Sequence, residues 1–256
     1  MKDIDITLNE DTHRELAALA KRYGDASRGG IQVINALGGQ AESWLSRLPK
    51  PVRDGLSTGT EAALRQAVRA AHASRGVVDD QPSWINNSLG AVMGAAGGFG
   101  GTATALAELP VTTTLLLRVI QGVAAEHGFD PSEESFQFDC VTVFASAGPL
   151  AEDDGSDTGF LSARLALSGA ALQQILQTVV PRLATALGQK LAAQSVPIIG
   201  AAAGAAINYT YTTYYREMAH VHFGLRKLAV DANVPEHILI EALKEKMTGP
   251  GTPKAG

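Results

Sequence analysis

A chain of 256 residues is long enough for one large domain or two small ones with a sizeable buried core. Hydrophobic residues make up 45% of it and charged residues only 18%, against about 25% in ordinary globular proteins. Aromatics stand at 5%, so the apolar mass is chiefly Ala, Leu, Val and Ile, which suits close helix packing better than a β-sandwich. A net charge of -5 argues against nucleic acid as a partner, and the single cysteine, Cys140, excludes an intrachain disulfide framework or a thiolate zinc site.

The N-terminus, MKDIDITLNEDTHREL, is acidic and lacks the apolar segment of a secretory signal peptide. Thr12 and Glu15 have capping-box spacing before RELAALAKRY, which predicts a first helix stopped at Gly24. Ile31, Ile34, Leu37, Ala41, Leu45 and Leu48 recur at helical spacing and predict a second helix, weakened at Gly38 and Gly39 and ended by Pro49 and Pro51. Thr58 and Glu61 repeat the capping-box spacing before AALRQAVRAAHASR, so a third helix is expected to bury Leu64, Val68 and Ala71 and to close at Gly76.

A first glycine run follows. Residues 81–107 carry no charge, and six of the twelve residues from Gly90 to Gly101 are glycine. Glycine costs about 1 kcal/mol relative to alanine in an exposed helix, so such a run is expected to be helical only with another element packed on it. Gly90 with Gly94, and Gly97 with Gly101, place glycines one turn apart and permit close backbone approach. A second uncharged run, 191–215, offers Gly200 and Gly204 in the same way, and the two runs are expected to pack together.

Pro110 is predicted in the first turn of a helix over roughly 111–126, ended by Gly128. Asp130, Pro131, Glu133 and Glu134 then form a cap and acidic first turn, favouring helix for FQFDCVTVFASAG despite its β-branched and aromatic residues. An acidic loop at 151–159 precedes a long helix from about 160 to 194, interrupted at Pro181. The aromatic-rich NYTYTTYYREMAHVHFGLRKLA and a last helix, PEHILIEALKEKM, lead to a loose tail.

Charge maps the organisation. Residues 1–80 hold 22 of the 47 charges and residues 158–215 hold three, Arg164, Arg182 and Lys190. The expected fold is all-α: a multi-helix bundle with two Gly-rich apolar helical hairpins packed against each other under an N-terminal helical layer. The expected divisions are an N-terminal helix over 1–28, a helical domain over 29–230, and a C-terminal helix with flexible tail over 231–256.

The uncharged runs exceed the ~20 residues needed to span a bilayer, but Gly, Ala, Ser, Thr, Asn and Gln dilute them. Peripheral membrane contact and a buried hairpin are both compatible with that composition. Glu108 and Arg118 stand among apolar neighbours, where an unpaired charge is costly. Ten residues, about 15 Å of helical rise, keep them from meeting on one straight helix. Each is read either as a polar spot in an apolar groove or as part of a buried structural contact. His220 and His222 point about 200° apart on a helix, so they do not share a metal, and no metal or cofactor is expected. GAAGGFGG lacks the Gly-Lys-Ser/Thr ending of a phosphate-binding loop. Asn208 and Tyr209, Tyr211, Tyr214 and Tyr215 read equally as a headgroup-level belt or as a core edge.

GAAGGFGGTATALAELP with the downstream Arg118, the HGFDP junction, and VPIIGAAAGAAINYTYT followed by AHVHF together resemble the EcsC protein family. The resemblance implies a bacterial helical protein associated with an ABC transporter. Its biochemistry is undetermined, and members are sometimes assigned as hydrolases without an established active site. Positions matching the motifs are Gly97, Gly98, Glu108, Pro110, Arg118, Pro197, Gly200, Gly204 and Asn208; the family often has aspartate at the position of Glu108. The leading expectation is a non-enzymatic, membrane-associated or transport-accessory protein that binds lipid, an apolar partner or a membrane protein. Gly97, Gly98, Glu108, Arg118 and Asn208 are its candidate ligand-binding residues. The alternative is a hydrolase using Glu108 with Asn208, with or without His220, in a buried groove. The expected location is the cytoplasm, including the inner face of the plasma membrane.

Overall fold

The computed structural model describes residues 8–36, 50–75, 88, 91–92, 101–145, 180, 184 and 200–248. Among these residues there are six packed α-helices and no strand, so the all-α expectation is met. The helices are α1 (Glu10–Ala36), α2 (Lys50–Arg75), α3 (Gly101–Glu126), α4 (Glu134–Ala145), α5 (Gly200–Asp231) and α6 (Glu236–Thr248).

The ends of α1 differ from those predicted. Its cap is Asn9, whose Oδ1 accepts the Thr12 N–H at 2.8 Å, with Glu10 and Asp11 in the first turn. Thr12 is itself buried within the helix. The helix also runs through Gly24. Leu19, Tyr23 and Ala26 bury their side chains on one face, while Lys21 and Arg28 both pair with Asp25 on the other. That support outweighs the roughly 1 kcal/mol penalty of one glycine. The first residues of the predicted second helix, to Ala36, are the end of α1; the remainder to Leu48 lies outside the described residues.

Helix α2 begins at Lys50 with Pro51 in its first turn, two turns before the predicted cap. Thr58 is exposed in mid-helix, and Glu61 pairs forward with Arg65 at 2.9 Å instead of capping. The buried stripe is the predicted one, with Leu64 and Ala71 inside and Val68 packed against them.

Pro110 lies inside α3 and not in its first turn, because the uncharged segment from Gly101 is already helical. Proline removes a backbone donor, and the Pro110 carbonyl accepts the Thr114 hydroxyl at 2.7 Å. At the other end Gly128 has φ +84°, the Phe129 N–H donates to the Ala124 carbonyl and the Gly128 N–H to the Ala125 carbonyl. This is a Schellman termination, as the glycine predicted. Asn233, with φ 52°, ends α5 in the same way: its N–H reaches the Val230 carbonyl, and the Val234 N–H reaches the Ala229 carbonyl. Between α3 and α4, Asp130 Oδ1 accepts the Ser132 N–H at 2.8 Å, and FQFDCVTVFA is helical as expected.

Helix α5 is the hub. Its 32 residues extend about 48 Å, and it packs against α1, α3, α4 and α6, while α3 also packs against α2 and α4. Helix α4 runs antiparallel to α5: Phe144 meets Tyr215 with ring centroids 5.0 Å apart, and Phe136 lies under the Arg226 guanidinium at 4.8 Å. Helix α1 is also antiparallel to it, with Leu19 against Gly224 and Arg22 paired to Glu217 at 2.6 Å. The core is filled by Leu16, Leu116, Ile120, Phe144, Tyr211 and Tyr215. The uncharged start of α3 and that of α5 belong to helices that pack on each other, but the glycines before Gly101 lie outside the described residues. Among the described residues no helix is long and apolar enough to cross a membrane.

Candidate functional site

The residues predicted to form a site fall in different places. Gly97 and Gly98 lie outside the described residues, and so does the side chain of Glu108, whose backbone is in α3. Arg118 is half-buried eight residues after Pro110 on the same helix. Asn208 is fully buried in α5. His220 is twelve residues further along that unbroken helix, about 18 Å by helical rise. Asn208 and His220 are therefore not brought to one reacting centre.

What His220 does meet is His127, contributed by the turn that ends α3. The Nε2 of His127 and the Nδ1 of His220 are 3.1 Å apart, with the rings edge to face. On the other side of the His220 ring, Nε2 faces Glu126 Oε2 at 3.6 Å. A carboxylate there favours the Nε2–H tautomer of His220, which leaves Nδ1 to accept from His127. Arg216 reaches Glu126 at 3.5 Å and Glu217 at 3.8 Å, and Glu217 also holds Arg22 of α1. Burial, joined by the positive charge of Arg22 and Arg216, pushes His220 down to about 3. Burial also lowers His127, opposed by the charge of Glu126. Both imidazoles are therefore neutral near pH 7.

No sequence signal announced this pair. The two histidines are 93 residues apart, and only the Schellman turn at Gly128 and the register of α3 on α5 bring them together. His222, two positions from His220, instead points into the core toward α4, where Asp139 lies 3.6 Å from its Nε2 and also binds Arg226. The divergence expected of i,i+2 residues is thus observed.

A second feature is a strip along the α3–α5 pair. On α3 its line is Val111, Leu115, Arg118, Gly122 and Glu126, all exposed or half-buried. On α5 it is Ala206, Tyr209, Thr213, Arg216 and His220, again all exposed or half-buried. The two lines meet where Glu126 contacts Arg216 and His220. Val111 and Leu115 on α3, and Ala206, Tyr209 and Thr213 on α5, are uncharged, and of these Val111 is 57% and Tyr209 51% exposed. Tyr211, Tyr214 and Tyr215, by contrast, are core residues, so Tyr209 alone of the four carries the surface reading.

The EcsC protein family model matches residues 77–228, which takes in α3, α4 and nearly all of α5 but neither α1, α2 nor α6. No match to the chain was found among curated proteins or among solved structures.

Proposed function

This chain belongs to the EcsC protein family, and we propose that it is a non-catalytic, membrane-associated or transport-accessory protein that binds lipid or an apolar partner through the α3–α5 strip. The observation that carries the reading is the pair of large apolar side chains, Val111 and Tyr209, left at solvent on two helices that pack together. Both lie at or near an uncharged run, 81–107 and 191–215. An exposed tyrosine suits a boundary between apolar and wet phases. Among the described side chains the strip carries charge at Arg118, Arg216 and Glu126, where a headgroup or a partner's polar rim would lie. Contact at a surface is favoured over spanning, since the described helices are too polar to cross a bilayer.

The test is co-sedimentation of the purified chain with phosphatidylcholine/phosphatidylglycerol vesicles, for the wild type and for Val111→Asp and Tyr209→Asp. The reading expects the wild type to pellet with vesicles and each variant to do so less. A wild type that stays wholly in the supernatant, with and without an apolar peptide or detergent competitor, overturns it. The hydrolase alternative rests on Glu108 with Asn208, and His220, about 18 Å from Asn208 along α5, does not join them at one centre.

A further inference from the structure

Two imidazole nitrogens 3.1 Å apart, one from the turn that ends α3 and one from α5, form a preset pair of donors for a cation as well as a hydrogen bond. Ligands about 2.0–2.1 Å from a tetrahedral zinc ion stand about 3.3 Å from one another, so the observed separation needs to open by only a few tenths of an ångström. The carboxylate of Glu126, 3.6 Å from the far nitrogen of His220, is where a metal-binding imidazole keeps its orienting partner. The nearby cations do not oppose a metal as strongly as their number suggests. Arg22 is matched by Glu217, Arg216 by Glu126, and Lys227 by Asp231 at 3.0 Å. Each of these cations is thus paired with a carboxylate, which offsets part of its repulsion of a metal ion.

We infer that His127 Nε2 and His220 Nδ1 form a binding site for a late first-row divalent cation such as zinc, oriented by Glu126 and placed where α3 ends against α5. Imidazole suits zinc, copper and nickel. On binding, the hydrogen-bonding proton of His127 moves from Nε2 to Nδ1 by exchange with solvent, so the ring stays neutral and no net proton is released. Among the described residues no group of three or more metal-ligating side chains comes together. With these two donors the site is an open one of modest affinity, and water or an exogenous ligand can take further positions. It is independent of the membrane reading, because its measurement needs no lipid.

The experiment is titration of the metal-free full-length chain with zinc chloride by calorimetry, and with cobalt chloride by visible absorption, for the wild type, His127→Gln, His220→Gln and Glu126→Gln. The expected result is one equivalent bound by the wild type and at least a tenfold loss of affinity in each histidine variant. Glu126→Gln weakens binding about 10- to 100-fold, as removal of an outer-shell carboxylate does elsewhere. Circular dichroism confirms that each variant is folded, and His13→Gln serves as a surface control expected to bind as the wild type does. A wild type with no saturable binding up to millimolar zinc overturns the inference. So do histidine variants that are folded and bind like the wild type.

Discussion

Leu19 of α1 fills the notch that Gly224 leaves in α5: a Cβ on residue 224 would stand 2.8 Å from Leu19 Cδ2 and 3.7 Å from His127 Cε1. One absent methyl group thus seats both the first helix and the ring that meets His220. The contact predicts a coupling between two substitutions. In a Leu19→Ala background, Gly224→Ala has nothing to displace and gains the helix preference of alanine, stabilising by about 1 kcal/mol. In the wild type the same change displaces a buried leucine, and the gain is lost or reversed. Urea unfolding of the four proteins of this cycle measures the difference; equal effects in both backgrounds would show that the notch is not filled.

The two Schellman terminations predict opposite responses. At Gly128, with φ +84°, a Cβ meets no neighbour, so Gly128→Ala reports backbone conformation alone and costs about 1–2 kcal/mol. At Asn233, with φ 52°, Asn233→Gly is neutral or stabilising by a few tenths of a kcal/mol. Thermal or urea unfolding of both variants checks the pair.

The buried histidines set an acid limit on stability. The folded chain holds His220 down to about 3, below the ordinary histidine value of 6.5 in the unfolded chain. Between these values the unfolded state binds more protons, so stability rises with pH through that window and is lost as pH falls through it. His127 is shifted the same way. At pH 5.5 the loss from His220 relative to pH 7.5 is about 1 kcal/mol. Urea midpoints across this range, compared with those of His220→Gln, isolate the contribution. An unchanged pH slope in the variant would rule out His220 as its source.

Tyr215 is buried, and its hydroxyl makes no hydrogen bond among the described residues. Burial raises its pKa, so the phenol stays neutral at any pH the chain survives. Removing an unsatisfied buried hydroxyl relieves a desolvation cost. Tyr215→Phe is therefore expected to be neutral or stabilising by up to about 1 kcal/mol, with the packing on Phe144 retained. A loss of 1 kcal/mol or more would mean that the hydroxyl has a partner.

The sequence was most informative where one residue type dictates one backbone state. Gly128 ends α3 because a left-handed residue is needed there, and the apolar stripe of α2 is buried because its 3.6-residue spacing leaves no other face to bury. Local signals point to the wrong helix start where they compete with tertiary packing. The Thr12–Glu15 and Thr58–Glu61 pairs have capping spacing, yet Asn9 and Pro51 lie upstream, and core contacts carry α1 through Gly24. Pro110 reads as a first-turn proline for the same reason. The surface strip was only half legible. The uncharged runs pointed to α3 and α5, but which of four tyrosines faces water depends on how α5 is rotated against α1 and α4. The His127–His220 contact was invisible, since it joins two helices far apart in sequence by a register that no local pattern encodes.

Docking through the first halves of α3 and α5 is tested most directly by site-specific labelling. Val111→Cys and Tyr209→Cys carry a polarity-sensitive fluorophore, with Asp54→Cys and Glu241→Cys as controls on α2 and α6; the native Cys140 is buried. Addition of phosphatidylcholine/phosphatidylglycerol vesicles should shift emission to the blue at positions 111 and 209 and leave the controls unchanged. Emission that stays constant at 111 and 209, or that shifts equally at all four positions, would contradict the claim.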